Sequence, residues 1–174
     1  LMGAFDWSAV VIQPLTKTHN RKAFDCGQAD LNTFVRQYAM QQQKQGYNQG
    51  YAALLDGELI GFYCLNAASL AFTELPENIR RGLPRYPVPC VCIGRFAVAV
   101  QWQGKGLGRR LLAHALRRVL EASVIVGVSL VLVDAKNEAA ALFYESLGFV
   151  RLDDQPMTLF LPVSKIVDGV DNAT

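Results

Sequence analysis

The segment 98–112 constrains the fold of this chain most, because an apolar strand there runs through a glycine-rich loop into an amphipathic helix. Gly104, Gly106 and Gly108 alternate with other residues in the loop, and without a Cβ they let backbone N–H groups approach an anion closely. The helix start adds unpaired N–H groups and the positive end of its dipole, and Lys105 and Arg109 add full charges. The segment therefore indicates a phosphate-binding turn, although the spacing also fits a tight strand-to-helix connection without a ligand.

The loop matches neither common nucleotide-binding pattern. A phosphate loop of the GxxxxGK type needs Ser or Thr after the lysine, and a dinucleotide loop needs GxGxxG spacing. A second informative segment lies at 134–149, where Asn137 precedes a helical pattern with Phe143-Tyr144-Glu145 and then Leu147-Gly148-Phe149. The pair of segments, in this order, is more specific than either one alone.

Together the two segments resemble the GCN5-related N-acetyltransferase (GNAT) family. Gln103-Gly104-Lys105-Gly106-Leu107-Gly108 stands where that family has its (Gln/Arg)-x-x-Gly-x-(Gly/Ala) pyrophosphate loop, and 137–149 stands at its second acetyl-CoA helix. The resemblance implies acetyl-CoA as co-substrate and no metal. It places these residues at the cofactor: Phe96, Ala97, Val98, Gln103, Gly104, Lys105, Gly106, Leu107, Gly108, Arg109, Asn137 and Tyr144.

The same resemblance implies a division of chemical work. Backbone N–H groups of Phe96, Ala97 and Val98 are expected to bind the pantetheine amides and the thioester carbonyl, with Val98 stabilising the oxyanion. Tyr144 stands in the position of the general acid that protonates the leaving thiolate. Its alternative reading is a core tyrosine on an amphipathic helix. No side chain stands out as a base, and His19 and His114 are interpreted as structural.

Periodicity and turn residues predict an α/β fold with a mixed, mostly antiparallel sheet of six or seven strands and helices on both faces. The GNAT resemblance implies that strands four and five, Val91–Val100 and Ser129–Val133, splay apart. Asp30 is expected to cap the first helix, Leu31 to Gln43, and Asp56-Gly57 to turn a hairpin. Further helices are predicted at Leu75–Arg81, Gly106–Val126 and Asn137–Leu147, and further strands at Val10–Ile12, Phe149-Val150 and Met157–Leu161.

The composition suits one folded domain. With 174 residues, 51% hydrophobic and 18% charged, the chain is long enough for a substantial core. We expect a single domain over 1–174, with its core at about 10–162 and a tail at 163–174. The sequence shows no membrane span or signal peptide. The cysteines lack metal spacing and are interpreted as buried, reduced thiols of a cytoplasmic protein.

Charge is unevenly distributed along the chain. No acidic residue lies between Glu77 and Glu121, whereas that stretch holds the basic residues Arg80, Arg81, Arg85, Arg95, Lys105, Arg109, Arg110, Arg117 and Arg118. One reading is a solvated helix face together with charges for the cofactor. The other is a polyanionic substrate, with nucleic acid as the most suitable class.

Four further segments resemble the acetyltransferase toxins of bacterial toxin–antitoxin pairs. These segments are Phe24-Asp25-Cys26-Gly27, Gly61-Phe62-Tyr63, the Pro-rich stretch 83–89 and Ile93-Gly94-Arg95-Phe96-Ala97-Val98. The resemblance implies acetylation of the α-amine of aminoacyl-tRNA, which blocks translation. It also implies a ribbon-helix-helix antitoxin as partner and, as in many members, a homodimer. The candidates for tRNA contacts are Arg80, Arg81, Arg85, Arg95, Arg117 and Arg118.

Two other functions stay open from the sequence. The chain could be an ordinary acetyltransferase for a small amine or a protein N-terminus. A cationic small substrate would favour an acidic pocket, whereas the region of strand four supplies Arg95 and no carboxylate. It could also be a non-catalytic acyl-CoA-binding module, but such a module would be expected to lack the acid, and Tyr144 is present.

Overall fold

A computed structural model describes residues 5–166 of the chain. Its seven strands form one sheet in the order β1-β2-β3-β4-β5-β7-β6. The strands are β1 (Val10–Pro14), β2 (Gln49–Leu55), β3 (Glu58–Leu70), β4 (Val88–Val98), β5 (Leu130–Asp134), β6 (Val150–Arg151) and β7 (Thr158–Pro162). The helices are α1 (Ala29–Thr33), α2 (Ala39–Lys44), α3 (Glu77–Arg80), α4 (Leu107–Ser123) and α5 (Glu138–Ser146). The mixed, mostly antiparallel α/β class is confirmed.

The chain divides into two compact units. The first contains residues 5–64 and Arg95–His114, and the second contains Leu65–Gly94 and residues 115–166. Each has its own cluster of buried apolar side chains, around Phe62 in the first and Phe160 in the second. A single domain over the whole chain stays a prediction.

In the first unit, the hairpin of β2 and β3 turns where predicted. Asp56 has a φ of 50° and Gly57 a φ of 78°, the left-handed pair that matches the twist of a two-residue hairpin. On the other side, β2 pairs antiparallel with β1, from Val10↔Leu55 to Pro14↔Tyr51. The Asp-Gly dipeptide therefore forms the predicted turn between β2 and β3.

The first helical region differs from the prediction in two ways. Between α1 and α2, residues Phe34–Tyr38 form a π-helical segment, which widens the turn by one residue. The helix also begins earlier than predicted, so Gln28 is the N-cap residue and Asp30 lies in the first turn. The prediction of Asp30 as the cap was therefore wrong, although its carboxylate still suits the positive end of the helix.

Gly61 on β3 allows close packing against the start of α4. A Cβ built there would lie 2.8 Å from Leu111 Cδ1 and 3.2 Å from the Ala97 carbonyl oxygen. The buried residues of α4 include the predicted stripe of Leu111, Leu112, Ala115, Leu116 and Val119. The helix ends at Ser123, three residues before the predicted end at Val126, because Val124 and Ile125 lie in an exposed turn.

In the second unit, β5 is the central strand and its first four residues are buried. It pairs parallel with β4, from Cys90↔Leu130 to Ile93↔Val133, and antiparallel with β7. The registered pairs with β5 end at Ile93, whereas β4 continues to Val98. Between β4 and β5 the sheet therefore stops pairing just before the segment predicted to bind the thioester.

The end of the described chain is ordered. Residues Val163–Lys165 form a 3₁₀ turn and Ile166 is fully buried, although both fall within the predicted tail. The rest of that tail, 167–174, lies outside the described residues. Among residues 5–166, no helix is long and apolar enough to cross a membrane.

Candidate active site

The glycine-rich loop lies in the first unit, directly after β4. A 3₁₀ turn, Val100–Trp102, follows the strand, and α4 begins at Leu107. Gly104 has a φ of 74° and Gly106 a φ of 98°, conformations that a residue with a Cβ rarely adopts. A Cβ on Gly104 would meet no atom within 4 Å. The loop therefore presents its backbone to open space at the start of a helix 17 residues long.

Gln103 holds this loop in place through its side chain. Its Nε2 donates hydrogen bonds to the carbonyl oxygens of Cys26 and Val98, both at 2.9 Å. Leu107 is fully buried, so its side chain belongs to the core, whereas Lys105 and Arg109 are exposed beside the loop. Among the predicted loop residues, Gln103 therefore anchors the loop and Leu107 packs in the core, whereas Lys105 and Arg109 place positive charge at the surface.

The second unit carries Asn137 and Tyr144 on α5. Asn137 is the N-cap residue of the helix, and its Oδ1 accepts a hydrogen bond from the Ala140 N–H at 2.8 Å. Arg151 on β6 lies 2.7 Å from a carboxylate oxygen of Glu138 and of Glu145, near the two ends of the helix. Sequence reasoning missed Arg151, because nothing in the local pattern relates a strand residue to this helix.

Tyr144 is only 5% exposed, in contact with the ring of Phe149 at a centroid distance of 5.6 Å. Burial raises the pKa of its phenol well above the ordinary value, and the negative charges that Cys92 and Asp134 can carry add to the effect. The hydroxyl group therefore keeps its proton throughout the physiological pH range. A protonated, buried phenol is suited to donate a proton and unsuited to act as a base.

Comparison with known proteins identifies the family. Residues 14–149 match the acetyltransferase (GNAT) family. The chain belongs to this family. The tRNA-acetylating toxin of Mycobacterium tuberculosis is 33% identical over 139 residues, which make up 80% of this chain and 83% of that protein.

Solved structures of related toxins show the same fold. AtaT complexed with acetyl-methionyl-tRNAfMet has a TM-score of 0.85 at 31% identity, over 91% of this chain and 97% of that one. A tyrosine-to-phenylalanine mutant of AtaT, bound to acetyl-CoA and to the C-terminus of the antitoxin AtaR, has a TM-score of 0.77 at 30% identity, over 90% of this chain and 95% of that one.

The loop of this acetyltransferase fits the pyrophosphate of acetyl-CoA. Gly104 leaves room for the phosphates to reach the backbone, the N-terminus of α4 supplies N–H donors, and Lys105 and Arg109 supply charge. Among residues 5–166, no group of three or more His, Cys, Asp or Glu side chains could hold a metal ion.

The arginines predicted for the tRNA differ in how they are held. Arg95, in the first unit, has a φ of 54° within β4, and its guanidinium lies 4.6 Å from the ring centroid of Phe34. The others lie in the second unit. There Arg80 lies 6.0 Å from the Phe72 ring, Arg81 pairs with Glu77 at 3.8 Å, and Arg118 pairs with Glu121 at 2.5 Å. Arg85 and Arg117 are exposed.

The ion pair of Arg81 leaves both side chains almost fully exposed, at 79% and 78%, so water screens it and its net energy is small. Arg81 therefore remains available to another anion. Arg118 is more enclosed, at 34%, and its partner Glu121 closes the stretch that lacks acidic residues. These partners reduce, but do not cancel, the positive charge of the basic stretch.

His114 is held inside the first unit. Its Nδ1 lies 2.7 Å from the hydroxyl oxygen of Tyr63, and both rings pack with Tyr51. His19 likewise contacts the Thr16 N–H and the Gln13 side chain. Both contacts favour the structural interpretation of the two histidines.

Proposed function

We propose that this acetyltransferase transfers the acetyl group of acetyl-CoA to the α-amino group of aminoacyl-tRNA, as the toxin of a toxin–antitoxin pair. The observation that carries the proposal is its similarity, over most of both chains, to toxins named for tRNA acetylation or solved with acetylated tRNA. The basic stretch supports it, because arginines there suit phosphate contacts. We propose a cytoplasmic location as well, because charged tRNA is used there.

Acetyl-CoA, when bound, supplies the acetyl group as a thioester. The N–H groups of the loop and of the first turn of α4 bind its pyrophosphate. In our proposal, backbone N–H groups of Phe96 and Ala97 bind the pantetheine arm. The N–H of Val98 donates to the carbonyl oxygen and stabilises negative charge as it develops there.

The attacking amine needs little help from the protein. The ester bond of an aminoacyl group withdraws electrons and lowers the pKa of its amine, so much of the substrate is already neutral near physiological pH. The amine forms the new C–N bond as the C–S bond breaks, and the Tyr144 hydroxyl group donates its proton to the departing sulfur. The proton that the acetylated nitrogen releases then restores the phenol. Burial raises the pKa of that phenol, so its proton is present at every working pH and the departing thiolate must be the group that draws it away.

The partner of the toxin is proposed to be an antitoxin with a ribbon-helix-helix DNA-binding part. A related toxin has been solved with the C-terminus of its antitoxin, and another complex of the same pair was solved on DNA. A homodimer is a further part of the proposal, taken from the resemblance to this class of toxins.

The proposal is tested by transfer of radiolabelled acetyl to a total pool of charged tRNA. Tyr144→Phe removes only the hydroxyl group and should slow transfer by about a hundredfold or more, while coenzyme A binding is kept. Tyr47→Phe, at a side chain 72% exposed, is the matched control and should be as active as the wild type. The label should leave the tRNA fraction on deacylation.

Two results would contradict the proposal. If charged tRNA stays unlabelled while coenzyme A binds, the acceptor is a small amine or a protein N-terminus. If Tyr144→Phe labels charged tRNA as fast as the wild type does, aminoacyl-tRNA remains the acceptor but Tyr144 is not the general acid.

A further inference from the structure

Three aromatic rings form a cluster beside the glycine-rich loop, within the first unit. The Phe5 ring lies edge-on to Trp7 and to Trp102, with centroids 4.9 Å apart in both pairs. Trp102 ends the turn that leads into the loop, and Trp7 comes from the 3₁₀ turn Trp7–Ala9 before β1. The N-terminal segment thus reaches the loop through a side chain that no sequence motif marks.

Two cations lie against these rings. The Arg110 guanidinium carbon is 4.5 Å from the centroid of Trp7, and Lys105 Nζ is 5.3 Å from the centroid of Trp102. The edge of Trp7 also faces Gly106, where a Cβ would lie 3.7 Å from Trp7 Cζ2. Trp7 therefore contacts both Arg110 and the phosphate loop.

A guanidinium that lies over an aromatic ring still has N–H groups free to donate to another partner. This geometry restricts the side chain and prepares it for a forked contact with an oxyanion. The backbone donors of the loop already serve the pyrophosphate of coenzyme A. That molecule carries one further phosphate, at the 3′ position of its ribose, which needs side-chain donors.

We infer that Arg110, positioned by Trp7, binds the 3′-phosphate of coenzyme A and lets the enzyme distinguish it from the 3′-dephospho form. Lys105, on the Trp102 side of the cluster, adds charge to the same end of the cofactor. The inference rests on coenzyme A as the cofactor and not on the acceptor proposed above. It also removes Arg110 from the surface left for tRNA.

Calorimetric titration with coenzyme A and with 3′-dephospho-coenzyme A tests this without any acceptor. The wild type should bind the dephospho form about tenfold more weakly. Arg110→Ala should bind coenzyme A about tenfold more weakly than the wild type and should no longer distinguish the two ligands. Lys17→Ala removes an exposed charge elsewhere in the unit and should leave both affinities unchanged.

The role of the ring is tested separately. Trp7→Ala should reduce the discrimination about threefold, because an exposed cation–π contact is weak, and Trp7→Phe should restore most of it. Equal weakening of both ligands by Arg110→Ala would overturn the inference. Unchanged affinity of Arg110→Ala for both ligands would also overturn it. If that variant then acetylated charged tRNA more slowly, Arg110 would contact the tRNA instead. Failure of tRNA acetylation alone would leave these titrations, and the inference, intact.

Discussion

At the scale of single residues, burial controls which protons this protein holds. The Cys64 thiol is 1% exposed, and burial raises its pKa from the ordinary 9.0 to about 12, although the charge of Arg95 opposes the shift. Burial is also the main cause that raises the pKa of Cys90 and of Cys92 to about 11. These thiols stay protonated in the folded state at pH values where an unfolded chain has lost the same protons.

A pH-dependent stability follows from these three thiols. Because each folded pKa is higher than the unfolded one, their stabilising contribution is complete below pH 9.0 and is lost as pH rises through about 11 to 12. Each thiol should lower the free energy of unfolding by about 1.4 kcal/mol per pH unit within that window. Urea unfolding under reducing conditions at several alkaline pH values measures the slope.

Cys64→Ala serves as the comparison, since it removes one of the titrating groups. Its free energy of unfolding should fall less steeply with pH than that of the wild type, whatever its absolute value. Identical slopes for the two proteins would show that the Cys64 thiol does not contribute.

At the scale of elements, the packing of α4 on β3 depends on one glycine. Gly61→Ala would place a methyl group 3.2 Å from a backbone oxygen and 2.8 Å from Leu111, so the helix or the strand must shift. We expect a loss of about 1–3 kcal/mol in the free energy of unfolding. Gly127→Ala is the matched control, because its Cβ would meet nothing within 4 Å. Equal stability of both variants in urea would contradict this account.

Sequence periodicity predicted the helices and strands well where one local signal decided them. The Asp56-Gly57 turn and the buried strand β5 are examples. The loop glycines and Tyr144 were identified as site residues from the family motifs and not from periodicity. The π-helical segment was missed because the apolar residues from Leu31 to Ala39 recur at the spacing of an ordinary α-helix, although one of them, Tyr38, is 48% exposed in the structure. The end of α4 was misplaced because Val124 and Ile125 continue the apolar pattern while lying in solvent.

The cation–aromatic pair of Trp7 and Arg110 was missed for a different reason. Its members are far apart in the sequence, and their contact depends on how the N-terminal turn packs against the loop. No local pattern carries that information. The same holds for Arg151, whose two carboxylate partners lie on a helix earlier in the chain.

At the scale of the whole molecule, a net charge of only +2 conceals a basic stretch without acidic residues. If that stretch binds tRNA, acetylation of charged tRNA should slow steeply as salt concentration rises, because phosphate contacts release counterions. Arg85→Ala should reduce the slope of log(kcat/KM) against log salt by about one unit. Coenzyme A binding by this variant should match that of the wild type.

Lys44→Ala is the charge-matched control for this prediction, since Lys44 is exposed and lies outside the basic stretch. Its salt slope should equal that of the wild type. A slope unchanged by Arg85→Ala would remove this arginine from the tRNA surface.

The cluster beside the loop also determines how this protein can be observed. The sequence contains two tryptophans, and both belong to that cluster. Tryptophan fluorescence, excited selectively at wavelengths where tyrosine does not absorb, therefore reports on this cluster alone. Binding of an adenine nucleotide beside this cluster would change the wavelength or intensity of the tryptophan fluorescence, so cofactor binding can be followed without an added label.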